Sequence, residues 1–156
     1  MSLERLQTIK DQFSMAETLF QECIKHWDIV KDLRALPKSE RPRKINWIKQ
    51  IQNNKEESKK NYECCHVLLD DAKNEIIGLV YDLQGSDSEH QYAEPLQFAM
   101  KEIAFISAQD RRLFYNYKIS EWTRDSEEKL GHIFKDHTKG HFERIKIVID
   151  IVEACI

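Results

Sequence analysis

Leu6, Ile9, Phe13, Ala16, Phe20, Cys23, Trp27 and Val30 succeed one another at steps of 3, 4, 3, 4, 3, 4 and 3. Steps that average about 3.5 residues keep one narrow apolar seam in line along a helix and turned toward a partner. The same rhythm returns in Ile48, Ile51, Lys55, Ser58, Tyr62, Cys65, Leu69, Ala72, Ile76, Leu79 and Leu83, where Lys55 and Ser58 interrupt it. It returns again in Leu96, Ala99, Ile103, Ile106, Leu113 and Tyr117, lapses through Ser120, Arg124 and Glu127, and resumes at Gly131, Phe134, His141, Ile145, Val148, Val152 and Cys155. The fold class expected is all-α, an elongated up-and-down antiparallel bundle with coiled-coil-like seams, forming one domain over residues 1–156.

The punctuation agrees. Four Gly and three Pro in 156 residues are too few for a sandwich or barrel, which needs a turn every 8–12 residues. Pro37 stops the first helix, expected over 3–36. Pro42 suits the first turn of the second, expected over 43–83. The run Gly85-Ser86-Asp87-Ser88-Glu89-His90 reads as a loop. From residue 95 onward an unbroken helix would be about 90 Å long, against about 50 and 60 Å for the first two. Either the helix breaks near 123–127, giving helices over 95–122 and 126–155, or its overhang pairs with a second chain; the break is the outcome expected. Thr123, Asp125 or Ser126 would cap the new helix, with Glu127-Glu128 in its first turn. Phe98, Phe105, Ile119, Trp122, Ile133, Ile147 and Ile151 widen the last stripe enough to bury against two neighbours. Trp27, Trp47 and Trp122 read as core or dimer anchors.

Cys23, Cys65 and Cys155 fall on seams and Cys64 flanks one, as reduced thiols packed like small apolar groups would. With no run of about 18 apolar residues and an acid-bearing amphipathic start, the expectation is a cytoplasmic protein without a membrane span or leader.

Charge is segregated. Residues 31–60 hold ten Lys or Arg against four acids, and residues 61–110 hold two against ten. Lys38, Arg41, Arg43, Lys44, Lys49, Lys55, Lys59 and Lys60 are the candidates for meeting an anionic partner, which a membrane surface or an acidic protein would supply. Nucleic acid fits less well, because aromatic residues barely interleave the bases and the whole chain is acidic.

No nucleophile elbow, phosphate-cradling loop or dinucleotide fingerprint is present, so no enzyme and no cofactor are expected. Glu22/His26, Glu63/His66, Glu128/His132 and the pair His137/His141 stand at helical contact spacing and raise a metal-binding bundle as an alternative. The leading expectation is a protein–protein interaction or scaffold module working through helix faces, self-associating as a homodimer or offering a groove to a partner helix. The polar interruptions mark where the monomer's core would end. Three long antiparallel helices with a basic end also resemble, in layout, the BAR domains, and that resemblance implies a module binding anionic membrane surfaces.

Overall fold

A computed structural model describes residues 2–116, 122–124 and 126–156, with backbone alone for 110–116. Helix α1 (Ser2–Ala35) leads through a single 3-10 turn (Lys38–Glu40) into α2 (Lys44–Ser86). Helix α3 (Ala93–Asn116) follows. The last rod consists of α4 (Glu127–His132), a π-helical turn (Ile133–Thr138) and α5 (Lys139–Ala154). No strand occurs among the described residues. The break in the last third is present, with Trp122 and Thr123 outside any helix.

The seam explains α1 completely. Its eight buried residues are Leu6, Ile9, Phe13, Ala16, Phe20, Cys23, Trp27 and Val30. They pack along α2, which runs the other way, so Ser58 meets Cys23 and Asn54 meets His26. Helix α3 returns beside α2, and the last rod descends between α3 and α1. Cross-links mark the register: Lys55 with Trp122, Gln109 with His141, Glu102 with Arg144, Lys10 with Glu153. Four rods alternating in direction enclose one continuous apolar core.

Several expectations need correction. Ser58 does not end the core. It is fully buried and donates to the Cys23 carbonyl at 2.8 Å, with Cys23 Sγ 3.4 Å away. A hydroxyl at a seam position is satisfied there by the neighbouring helix backbone. Glu127 is likewise inside, bound to Arg34, because a carboxylate that meets a guanidinium can leave water. Ile48, in seam phase, is exposed because the core stops at Ile51. Gly85 and Ser86 continue α2. The turn begins at Asp87, whose carboxylate accepts from the backbone N–H of Gln91 (3.0 Å) and Tyr92 (2.8 Å). Ser126 stands at the N-cap of α4 without a side-chain cap bond, and its hydroxyl instead closes a turn with Thr123. Asp125, Tyr117, Ile119, Ser120 and the Leu113 side chain lie outside the described residues.

Candidate interaction surfaces

The expected basic site divides in two. Between Val30 and Ile51 no residue is buried, so residues 31–50 form a hairpin tip at the edge of the core, with Leu33 and Trp47 partly buried against it. Within it Arg41 is used internally, donating to the Leu36 carbonyl at 2.8 Å and lying 4.5 Å over Trp47. Trp47 in turn donates to the Leu33 carbonyl at 2.7 Å. Lys38, Arg43, Lys44 and Lys49 are exposed around that scaffold. The remaining candidates lie farther along α2. Lys55 faces inward, donating to the Trp122 carbonyl at 3.2 Å with its ammonium 5.6 Å from that ring. Burial, and then nearby Arg34, hold its pKa below the usual lysine range. Lys59 pairs with Glu56 at 3.8 Å, and Lys60 is exposed. Lys55 thus ties α2 to the loop before α4, and of the candidates Lys60 and the tip carry the accessible charge. Ile45 and Ile48 were not singled out as surface residues, yet they are 77% and 50% exposed at the tip.

The three tryptophans share this end of the bundle, and cations cover each. Lys135 lies 4.6 Å and Lys31 5.8 Å from the Trp27 ring. Trp27 also donates to the Glu127 carbonyl at 3.1 Å, and Trp27 and Trp122 are buried. Their reading as core anchors holds for these two, and Trp47 is half-buried.

A second surface runs along α3 and α5. Arg144 Nη1 bonds Glu102 Oε2 at 2.6 Å, and its guanidinium lies 4.1 Å over the Phe105 ring. Phe98 stands one turn before Glu102, and Ile147 one turn after Arg144, so all five share a face. Phe98, Phe105 and Ile147 are 49%, 44% and 45% exposed. The widened stripe of the last third is therefore only partly covered within this chain.

Between α1 and α5 lies an open groove of about 590 Å³, rimmed by Lys135, Lys139 and Lys146. Its floor is Phe13, Phe20 and Phe142, whose rings already pack at 5.0 and 5.4 Å and are buried. It offers a partner helix little uncovered apolar area.

Beneath the π-helical turn, Tyr62, Cys65, His66, Thr138 and His141 line a chamber of about 20 Å³. That volume suits a single water and no organic substrate. Tyr62 and Thr138 hydroxyls are 3.4 Å apart, and His141 Nε2 donates to Gln109 Oε1 at 3.0 Å. His137 lies in the same turn. It is exposed beside the seam, and His141 is buried on it, in step with Gly131, Phe134, Thr138 and Ile145. His132 pairs with Asp136 at 3.0 Å, and His26 donates to Asn54 at 2.8 Å. Among the described residues no three His, Cys, Asp or Glu converge as a metal site would require. No helix among them is long and apolar enough to cross a membrane.

Comparisons with family models, with curated proteins and with solved structures return no match.

Proposed function

We propose that this chain is a non-enzymatic interaction module that pairs with a second copy of itself through the α3–α5 face. One observation carries the reading: two phenylalanines and an isoleucine, each about half in water, line up around the Glu102–Arg144 ion pair on one face. Phenylalanine and arginine are the residue types enriched where interfaces bury their centres.

The charge pair selects the geometry. A twofold axis parallel to the rods lays α3 of one copy on α5 of the other. Glu102 then meets Arg144 of the second copy twice over, and Phe98 lies beside its Ile147. A twofold axis across the rods sets Glu102 against Glu102, which is repulsive. The parallel arrangement is self-complementary, as an isologous dimer requires.

Light scattering during size-exclusion chromatography tests this. A chain of 18.6 kDa should elute at twice that mass, about 37 kDa. F98S/F105S should elute as a monomer with unchanged helicity, since neither ring is buried in the core. A wild-type chain that stays monomeric at ~0.1 mM, where even weak pairs associate, overturns the proposal.

A further inference from the structure

The hairpin tip is a second surface, built from different residues and independent of pairing through α3 and α5. We infer that residues 31–50 dock end-on against an anionic lipid surface, with Ile45 and Ile48 entering the headgroup boundary.

Charge comes first. The tip holds seven Lys or Arg and two acids. Arg34 is committed to Glu127, Lys31 to Glu128 and the Trp27 ring, and Arg41 to Trp47 and a backbone carbonyl. These internal bonds hold the two arms together and leave Lys38, Arg43, Lys44 and Lys49 exposed. Clusters of four or more such residues on a short segment are what phosphatidylserine-rich surfaces attract.

Apolar groups are interleaved with that charge. On α2, Lys44 and Ile48 are four residues apart, as are Ile45 and Lys49, so all four lie on adjoining helix positions. An isoleucine with 77% of its surface in water lines no cleft. It projects from a convex end. A partner peptide needs a concavity for its anchors, whereas a bilayer interface accepts projecting apolar side chains with lysines at headgroup level. Peripheral binding of this kind takes two signals, basic charge and apolar insertion, and the tip carries both.

The rest of the rod supplies the orientation. Residues 81–100, at the far end of α2 and the start of α3, contain Asp87, Glu89 and Glu94 besides Asp82, which pairs with Arg5 of α1, and no Lys or Arg. Helix α2 has 43 residues, so the two ends are about 65 Å apart, well beyond the ~10 Å screening length in dilute salt. The acidic end therefore does not neutralise the tip. An anionic surface attracts one end and repels the other.

The test is co-sedimentation of the full chain with vesicles of phosphatidylcholine alone and of phosphatidylcholine with ~30% phosphatidylserine. Binding is expected to the anionic vesicles only, and to fall steeply when salt is raised from ~0.1 to ~0.5 M. R43E/K44E should reduce partitioning by about tenfold or more. I45S/I48S should also reduce it by about tenfold, while leaving retention on immobilised heparin unchanged, because heparin offers charge without an apolar phase. None of the four residues is buried, so circular dichroism should show unaltered helicity in both variants. Equal binding to neutral vesicles, no binding to anionic ones at low salt, or an indifferent R43E/K44E each overturns the inference. So does end-to-end growth of the chain without vesicles that R43E/K44E abolishes, which would identify the acidic end of another copy as the occupant.

Discussion

Arg34 at the end of α1 and Glu127 at the start of α4 meet at 2.6 Å, and Glu127 is only 2% exposed. Ninety-three residues separate them in the chain, and their bond ties the first hairpin to the last rod. The Glu127 carbonyl accepts from Trp27 at 3.1 Å, so one residue is held by side chain and backbone together. Removing one partner of a buried pair leaves a charge without compensation, which costs about 3–5 kcal/mol. Arg34 keeps about a fifth of its side-chain surface in water, so the lower end applies. E127A is expected to lose about 3 kcal/mol in urea unfolding, and R34M/E127M to recover most of it. A loss below ~1 kcal/mol for E127A would show that the pair is as weak as a surface one.

Gly131 lies one turn beyond Glu127 against the same tryptophan. A Cβ at this position would come within 2.3 Å of Trp27 Cζ2 and 2.7 Å of Cη2. Alanine favours a helix over glycine by about 1 kcal/mol, but overpacking a rigid core costs about 1–3 kcal/mol. Because the indole is buried and tied to the Glu127 carbonyl, it cannot easily give way. G131A should therefore unfold at a lower urea midpoint, by about 1–2 kcal/mol, with altered Trp27 fluorescence. Greater stability than wild type would mean that α4 can move outward at little cost.

These two residues show where sequence reading stops. Spacing alone identified every buried residue of α1, because a regular helix maps one period onto one face. It also located the break before α4. It put Gly131 on the seam, but it read Ser58 and Glu127 as interruptions and could not show how closely Gly131 meets an indole. What holds them there lies 35 to 104 residues away: the Cys23 carbonyl, Arg34 and the Trp27 ring. The π-helical turn was equally hidden, since the buried positions Gly131, Phe134, Thr138, His141 and Ile145 keep steps of 3 and 4 straight through it. Of the basic candidates, composition marked the segment, and the structure shows Lys38, Arg43, Lys44, Lys49 and Lys60 exposed. Which lysines turn inward followed only from the position of Trp122 beside Lys55.

The thiols give a pH dependence. Burial pushes the Cys23 thiol up to about 12, and burial, then Cys23, do the same for Cys65, against an ordinary value of 9.0. A raised acid keeps its proton in the folded state where the unfolded chain has lost it. Stability from these groups is therefore complete below about pH 9 and declines from there toward 12, by up to ~1.4 kcal/mol per pH unit for each cysteine. C23A should make the decline visibly shallower in urea titrations from pH 8 to 11, below the value of about 12 at which the folded thiol ionises. In the native state at neutral pH, a thiol reagent should modify exposed Cys64 well before buried Cys23 and Cys65. Equal slopes for wild type and C23A would show that the Cys23 thiol titrates as it does in the unfolded chain.

The orientation of the proposed pair can be read from one carboxylate. With the twofold axis parallel to the rods, Glu102 of each copy faces Arg144 of the other, and E102Q removes two favourable contacts. Association should weaken by about tenfold, or ~1.4 kcal/mol, in sedimentation equilibrium at low salt. With the axis across the rods, Glu102 faces Glu102, and the same substitution removes a repulsion and tightens the pair. E102R separates the effect from a local change in α3: it sets like charges together both within and between copies, and R144E added to it restores an opposite pair at every contact. Recovery of the dimer in E102R/R144E, after its loss in E102R alone, requires that the two residues meet across the interface or beside it on one face. Tightening by E102Q would exclude the parallel arrangement and leave the crossed one.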